Sequence, residues 1–211
     1  MKLVVLGSGD AFASGGRCCT SFHLSGEGHS GLIDCGASTL IRLKQLQIRV
    51  LDLEFIVITH FHGDHFGGLP FIFLSSKYGT DQIHRLKIIG PPGIETAVRK
   101  LQNALYPDTE HVIDELDITF EEYSSDWMGI KDDLMVQAFP VAHSVSSHPQ
   151  GVRLKWNNKI LAYSGDTEWT KNLVTLADNS EIKICECNNL DKDSPGHLSY
   201  ATLQERVASF N

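Results

Sequence analysis

The chain has 211 residues, of which 42% are hydrophobic and 21% are charged. This length suits a single α/β domain, and the composition excludes a disordered or fibrous protein. The formal net charge of −8 disfavours broad binding to nucleic-acid phosphates, although a local basic patch is compatible with it. No apolar run approaches the roughly 20 residues that a membrane span needs, so we expect no membrane partner.

In chain order, apolar segments bounded by Gly, Asn and polar residues predict strands at 3–6, 21–24, 31–34, 55–59, 86–89, 118–123, 135–141, 152–156, 160–163 and 181–185. Helical periodicity predicts helices at 38–47, 65–78, 93–105, 170–177 and 199–210. Between two of the strands, Asn157-Asn158 suits a tight hairpin turn, since Asn tolerates positive φ. Without repeats or linkers, the chain is predicted to form one domain over residues 1–211.

The most informative motif follows the apolar strand that begins at Phe55. His60-Phe61-His62-Gly63-Asp64-His65 places four metal-ligating side chains within six positions. Side chains on a strand recur with period two, so His60 and His62 can face the same way. Gly63 then lets the chain turn, which brings Asp64 and His65 to a neighbouring position. Imidazoles with a carboxylate suit Zn²⁺ better than Mg²⁺ or Ca²⁺.

Two later strands also end in ligand-type residues. The strand at 135–141 leads to His143, and the strand at 160–163 leads to Asp166. A carboxylate such as Asp166 can bridge two cations about 3.5–4 Å apart, as in two-metal sites. His148 is the competing candidate for the role given to His143. The sequence therefore predicts a dinuclear metal centre.

Together these motifs resemble the metallo-β-lactamase superfamily, in particular its ribonuclease Z-like and phosphodiesterase branch. The similar segments are spread along nearly the whole chain. They are 6–12, 32–36, 60–65, His143, 164–167 and 196–199. The resemblance implies a four-layer αβ/βα sandwich with two zinc ions per chain, Mn²⁺ or Fe being the alternative metals. It places one zinc on His60, His62 and His143 and the other on Asp64 and His65, with Asp166 bridging.

Two departures from the family pattern stand out. The family's second zinc usually has a further histidine on a last strand, beyond the helix predicted at 199–210, and the sequence stops at Asn211. We therefore expect a C-terminally short domain that lacks this last strand, with His197 or water as the alternative ligand. Only 23 positions separate His143 from Asp166, where tRNA-processing ribonuclease Z proteins often carry a long basic arm.

Two further residues receive candidate roles. In related nucleases a histidine in a Gly-His-Leu-Ser context lies near the leaving group, which makes His197 a candidate general acid. A capping hydrogen bond at a helix start is its alternative role. Asp34, at the end of its strand, is placed to accept a hydrogen bond from a ligand histidine. Satisfying a nearby backbone turn is the equally weighted alternative.

The remaining cysteines and histidines are assigned no site. Five cysteines, odd in number and irregularly spaced, are typical of reduced thiols and predict a cytoplasmic protein. Cys185 and Cys187 have no second Cys/His pair at zinc-finger spacing, so we expect both thiols in the core. The ligand pattern also excludes His23, His29, His84 and His111, which we expect on the surface or in the core.

These observations predict a metal-dependent hydrolase in which Asp64 and His197 are catalytic. The resemblance implies a phosphodiester substrate, and the lack of the basic arm together with the negative net charge favours a small or cyclic phosphodiester over a folded tRNA. The alternatives are a ribonuclease Z-like RNA 3′-processing endonuclease and a lactone or thioester hydrolase of the same fold. Outside hydrolysis, the fold can also serve as a binding module or hold iron for redox chemistry. The oligomeric state stays open, a homodimer included.

Overall fold

The computed structural model describes residues 1–79, 83 and 85–210. The chain divides into two compact units, Met1–Glu122 and Tyr123–Asn211. The first unit contains six strands: β1 (Lys2–Gly7), β2 (Ser21–Gly26), β3 (His29–Ile33), β4 (Phe55–Val57), β5 (Leu86–Gly90) and β6 (Ile118–Glu122). Its helices are α1 (Thr39–Gln45), α2 (Gly63–Phe66), α3 (Leu69–Tyr78), α4 (Ile94–Leu105) and α5 (His111–Glu115). All six strands and the helices α1 and α4 correspond to predicted elements.

The six strands form one sheet in chain order, from β1 to β6. β1, β2 and β3 pair antiparallel, whereas β3, β4, β5 and β6 pair parallel through helical crossovers. In the parallel part, Ile33 lies opposite Val57, and Val57 lies opposite Ile89. The carboxyl ends of β3 and β4 therefore lie side by side, which brings Asp34 next to the segment that begins at Ile58.

The core of this unit explains the apolar character of its central strands. Ile56 and Ile88 on the strands and Leu69, Ile72 and Phe73 on α3 are fully buried in one cluster. A parallel strand that helices cover on both faces has a nearly continuous apolar sequence, as Phe55–Val57 does. The polar residues of the candidate site follow the ends of these buried strands in the sequence.

The helix predicted at 65–78 is two helices, because the chain is redirected at Gly67-Gly68. Instead of continuing the hydrogen-bond ladder of α2, the Gly68 amide donates to the Cys35 carbonyl oxygen at 2.7 Å. Pro70 then lies in the first turn of α3, where the lack of an amide hydrogen costs nothing. The break separates α2, which contains His65, from the buried helix α3.

The second unit contains β7 (Met128–Lys131), β8 (Leu134–Pro140), β9 (Gln150–Trp156), β10 (Lys159–Tyr163) and β11 (Ile182–Ile184), with α6 (Lys171–Ala177) and α7 (Tyr200–Arg206). The sheet order is β11-β10-β9-β8-β7. All neighbouring pairs are antiparallel except β10 and β11, which α6 connects in parallel. Leu173, Leu176 and Leu198 form a small buried cluster in this unit.

The β9–β10 connection confirms the predicted hairpin. Trp156 pairs with Lys159, and Asn157 and Asn158 have φ of 50° and 61°. Positive φ at both central residues is characteristic of the type I′ turns that match the twist of a two-residue hairpin. The turn leaves no room for an insertion between the two strands.

Two short elements, β7 and α5, were not predicted. Each offers too few apolar positions for a periodic signal: Ile130 is the buried residue of β7, and Val112 and Ile113 are those of α5. The helix predicted at 199–210 is also shorter, because α7 gives way to a 3₁₀ turn at Val207–Ser209.

None of the helices that the structure describes is long and apolar enough for a bilayer crossing. His84 lies outside the described residues.

Candidate functional site

The first ligand group lies beyond the end of β4. After Val57, the Ile58 amide still donates to the Ile89 carbonyl oxygen at 2.8 Å, and the chain then leaves the sheet. His62 directly precedes α2, and the His65 amide donates back to the His62 carbonyl oxygen at 2.9 Å. A buried strand followed by one helical turn thus presents His60, His62, Asp64 and His65 from a single short segment.

The imidazoles of this segment lie close together. The distance between His60 Nε2 and His62 Nδ1 is 3.2 Å, and the ring centroids of His60 and His65 are 4.1 Å apart. His65 Nε2 lies 3.6 Å from Asp64 Oδ2. Two nitrogens bound to one tetrahedral zinc at about 2.0–2.1 Å would lie roughly 3.3 Å apart. The spacing of His60 and His62 therefore fits a shared zinc ion.

Asp34 orients this group from the end of β3. Its Oδ2 accepts a hydrogen bond from His65 Nδ1 at 2.7 Å, while Oδ1 accepts from the Thr59 amide at 2.8 Å. The Thr59 hydroxyl also donates to the carboxylate and lies 3.1 Å from His60 Nδ1. With Nδ1 of His65 occupied as a donor, Nε2 is left as the atom that can ligate a metal. The expected hydrogen bond from a histidine of this group is confirmed, and Asp34 also accepts from the Thr59 backbone.

The loop after Asp34 is joined to α2 by backbone contacts. The Cys35 amide donates to the His65 carbonyl oxygen at 2.6 Å. At Gly36, a Cβ atom would lie 2.2 Å from the Asp64 carbonyl oxygen, a distance no side chain can adopt. Glycine at this position therefore lets the β3 loop approach the backbone that carries Asp64 and His65.

The second ligand group lies in the second unit, at the ends of β8 and β10. One ligand-type atom each of His143, Asp166 and His197 lies within 4.8 Å of the others. His143 Nδ1 donates to the Gly196 carbonyl oxygen at 2.9 Å, which leaves its Nε2 3.9 Å from Asp166 Oδ2. His148 is exposed and has a left-handed backbone with φ of 53°. Within this unit, His143 rather than His148 accompanies Asp166.

Glu186 connects the Asp166 turn with the His197 loop. Its Oε1 accepts from the Thr167 amide at 2.6 Å and lies 3.1 Å from His197 Nδ1. Its Oε2 accepts from the Leu198 amide at 3.1 Å. The side chain of Glu186 is 8% exposed, so these donors replace most of its water contacts. Sequence reasoning missed Glu186, although its position two residues beyond the end of β11 matches the pattern of the other candidates.

Burial makes two of the cysteine thiols poorly suited to act as nucleophiles. Burial raises the pKa of the Cys35 and Cys185 thiols to about 12, so both stay protonated near neutral pH. Cys185 packs against the apolar cluster of the second unit, as expected. Cys187 is exposed, so its prediction as a core thiol is wrong. β11 ends at Ile184, three residues before Cys187, so the strand alternation assumed in the prediction does not extend to this position.

Both groups fit a divalent metal by their chemistry. The first offers three imidazoles and a carboxylate, and the second offers two imidazoles and a carboxylate. His65 and His143 each use Nδ1 in a hydrogen bond to an oxygen atom, which fixes the tautomer with Nε2 able to bind a metal. This mixture of nitrogen and oxygen donors suits zinc and similar borderline metals.

Asp34→Asn is expected to weaken zinc binding about 10- to 100-fold, the usual cost of losing a hydrogen-bond partner of a ligand histidine. Asp34 has a φ of 57°, which Asn tolerates, so the backbone is preserved. In Asn an NH₂ donor replaces one of the two carboxylate oxygens, so either the Thr59 amide or His65 Nδ1 loses its acceptor. Competition with a chromophoric chelator measures the change.

The control for this variant is Asn179→Ala, which removes an exposed amide bonded to Asp178 in the second unit. Its zinc affinity should equal that of the unchanged chain. Circular dichroism establishes that both variants are folded. A folded Asp34→Asn chain with undiminished zinc affinity would show that Asp34 does not tune the ligand group.

Comparisons with known proteins agree with this picture of the fold. The profile of the family described as Anti-Pycsar protein Apyc1 matches residues 1–209. A ribonuclease Z from Clostridium acetobutylicum is 30% identical over 161 residues, which are 75% of this chain and 52% of that protein. The chain thus spans about half the length of the curated relatives it matches.

Two solved structures show the same fold. The short form of human tRNase Z has a TM-score of 0.78 at 21% identity, over 99% of this chain and 88% of that one. The metallo-β-lactamase fold protein YhfI from Bacillus subtilis has a TM-score of 0.75 at 18% identity, over 93% and 76%. The predicted fold class and the resemblance are confirmed. The chain belongs to the Anti-Pycsar protein Apyc1 family, within the ribonuclease Z-like and phosphodiesterase branch of the metallo-β-lactamase superfamily.

Proposed function

We propose that this chain is a dinuclear zinc-dependent phosphodiesterase acting on a small or cyclic phosphodiester. The two ligand groups are proposed to serve one centre: His60, His62 and His143 for one zinc, Asp64 and His65 for the other, and Asp166 between them. Support comes from the donor chemistry of each group and from membership of the family. Mn²⁺ and Fe are the alternative metals, which elemental analysis distinguishes.

Zinc ions bound at these residues would lower the pKa of water towards neutrality and stabilise negative charge on the phosphate oxygens. The residues of the chain supply orientation and proton transfer. Asp64, whose side chain is 10% exposed, is proposed to orient the attacking water with a carboxylate oxygen. Asp34 and the Gly196 carbonyl oxygen hold His65 and His143 in their ligating tautomers.

His197 is proposed to donate a proton to the leaving oxygen. Glu186 accepts at Nδ1, so Nε2 is the ring atom that would carry the transferable proton. The same carboxylate holds the Leu198 amide and the Thr167 amide, which restrains His197 relative to the Asp166 turn. A positioned donor of this kind contributes about 10²–10⁴-fold to a reaction with a poor leaving group.

The preference for a small substrate rests on one observation, the short connection between His143 and Asp166. A 3₁₀ turn and the β9–β10 hairpin fill this interval, and the hairpin closes with the two residues Asn157 and Asn158. The interval therefore has no arm that could grip a folded RNA. The formal net charge of −8 points the same way, because phosphate-driven RNA binding relies on Lys and Arg.

The second candidate is an RNA 3′-processing endonuclease. It is favoured by the curated relatives, which carry the name ribonuclease Z, and it would need other loops to hold RNA.

A cytoplasmic location is part of the proposal: the five cysteines are free thiols, as expected in a reducing compartment. A homodimer stays a prediction.

The deciding experiment is a hydrolysis screen with the zinc-loaded chain. The substrates are bis-p-nitrophenyl phosphate, cyclic nucleotides, pre-tRNA, a lactone and a thioester. We expect turnover of the phosphodiesters and little cleavage of pre-tRNA, with all activity lost in His60→Ala. A higher kcat/KM for pre-tRNA would favour the second candidate. Turnover of only the lactone or the thioester would overturn the phosphodiesterase proposal.

A further inference from the structure

The ring of His143 is held by a loop that lies 53 positions further along the chain. Its Nδ1 donates to the Gly196 carbonyl oxygen at 2.9 Å. This bond restrains rotation of the ring, whose Nε2 lies 3.9 Å from Asp166 Oδ2. The position of the Gly196 peptide groups therefore contributes to the direction of Nε2.

Glu168 holds Gly196 in place. Glu168 Oε1 accepts a hydrogen bond from the Gly196 amide at 2.8 Å. The Glu168 amide in turn donates to the carbonyl oxygen of Ala142, the residue before His143, at 2.7 Å. One residue thus bonds through its backbone to the segment that carries His143, and through its side chain to the loop that orients the ring.

The backbone at Gly196 is specialised for this contact. Its φ is +82°, a conformation that residues with a side chain rarely adopt. A Cβ atom there would lie 2.6 Å from His143 Nδ1, closer than van der Waals contact allows. The loop can therefore offer both its amide to Glu168 and its carbonyl oxygen to His143 with glycine at this position.

We propose that Glu168 is a positioning residue for metal binding, acting through Gly196 on the orientation and tautomer of His143. The hydrogen-bond relay runs from the Glu168 carboxylate to the Gly196 amide, and from the Gly196 carbonyl oxygen to His143 Nδ1. With the loop held, Nε2 of His143 faces Asp166. The relay rests on the proposed function only in taking His143 as a zinc ligand, and it requires no catalytic turnover.

The substitution Glu168→Ala tests the relay. Loss of the carboxylate frees the Gly196 amide, so zinc affinity should fall about 10-fold, at the lower end of the range for partners of ligand residues. Glu168→Gln keeps an oxygen that can accept from the amide, and it should bind zinc within about 2-fold of the unchanged chain. Chelator competition gives the affinities, and the visible absorption of the Co²⁺-substituted chain reports the ligand geometry.

A matched control is available in the first unit. Glu122 is also exposed and also accepts from a glycine amide, Gly93, at 2.7 Å. Glu122→Ala removes the same kind of hydrogen bond at Gly93 instead of Gly196, and it should leave zinc affinity and the Co²⁺ spectrum unchanged. The exposure of both glutamates makes unfolding of either variant an unexpected result, which circular dichroism would detect.

The possible outcomes separate the relay from the proposed function. Zinc affinity in Glu168→Ala equal to that of the control would overturn the relay. Equal losses in Glu168→Ala and Glu168→Gln would also overturn it, because they would indicate a role of the charge rather than of the hydrogen bond. If the unchanged chain binds no divalent metal, the dinuclear centre itself is wrong. If it binds zinc but hydrolyses nothing in the substrate screen, the proposed function fails while the relay can still hold.

Discussion

Asp64→Ala is expected to lower kcat for a phosphodiester by at least about 10³-fold, the upper range for losing one preorganised stabilising group. The carboxylate lies 3.6 Å from His65 Nε2, in the proposed metal group. Its removal takes away a ligand and the group proposed to orient the attacking water. Steady-state kinetics with zinc in excess, together with elemental analysis of the purified variant, measure both effects.

The matched control is Asp117→Ala, which removes an exposed aspartate of the same unit. Its kcat should stay within about 2-fold of the unchanged chain, since substitutions on the surface rarely matter. Activity retained to within 10-fold in Asp64→Ala would remove Asp64 from the catalytic group. A large loss of activity with full zinc content would assign Asp64 to orienting water rather than to holding metal.

The proximity of the candidate ligand residues could be predicted from the sequence where one short segment contains the whole pattern. His60, His62, Asp64 and His65 follow a buried strand directly, so their proximity depends on local geometry that the spacing already specifies. The contact between Asp34 and His65 was predictable for a related reason. Asp34 directly follows β3, His65 lies in the first helix after β4, and parallel neighbours such as β3 and β4 end at the same edge of a sheet.

The supporting hydrogen bonds could not be predicted in this way. Glu186 and Glu168 are ordinary acidic residues in the sequence, and their roles arise from contacts with a loop 10 to 30 positions further on. Whether that loop approaches them depends on the packing of Leu198 into the apolar cluster of the second unit and on the backbone of Gly196. Neither the packing of Leu198 nor the backbone conformation of Gly196 produces a periodic pattern in the sequence. The break between α2 and α3 was missed for the same reason, since it depends on the bond from Gly68 to Cys35.

His197→Ala is expected to lower kcat about 10²–10⁴-fold for a substrate with an alkoxide leaving group, such as a cyclic nucleotide. The reason is the loss of the proposed proton donor, whose Nδ1 is held by Glu186 at 3.1 Å. Zinc content should be unchanged, because the proposed ligand set does not include His197. Activity and elemental analysis on the same preparation test both statements.

The dependence on the leaving group separates proton donation from other roles of His197. A p-nitrophenolate departs with little protonation, so the loss in His197→Ala should be much smaller for bis-p-nitrophenyl phosphate than for a cyclic nucleotide. His111→Ala, which removes an exposed histidine of the first unit, is the control and should leave both rates unchanged. Equal losses for good and poor leaving groups would rule out the donor role. A loss of zinc in His197→Ala would instead make His197 a metal ligand, because its ring lies within 4.8 Å of the ligand atoms of His143 and Asp166.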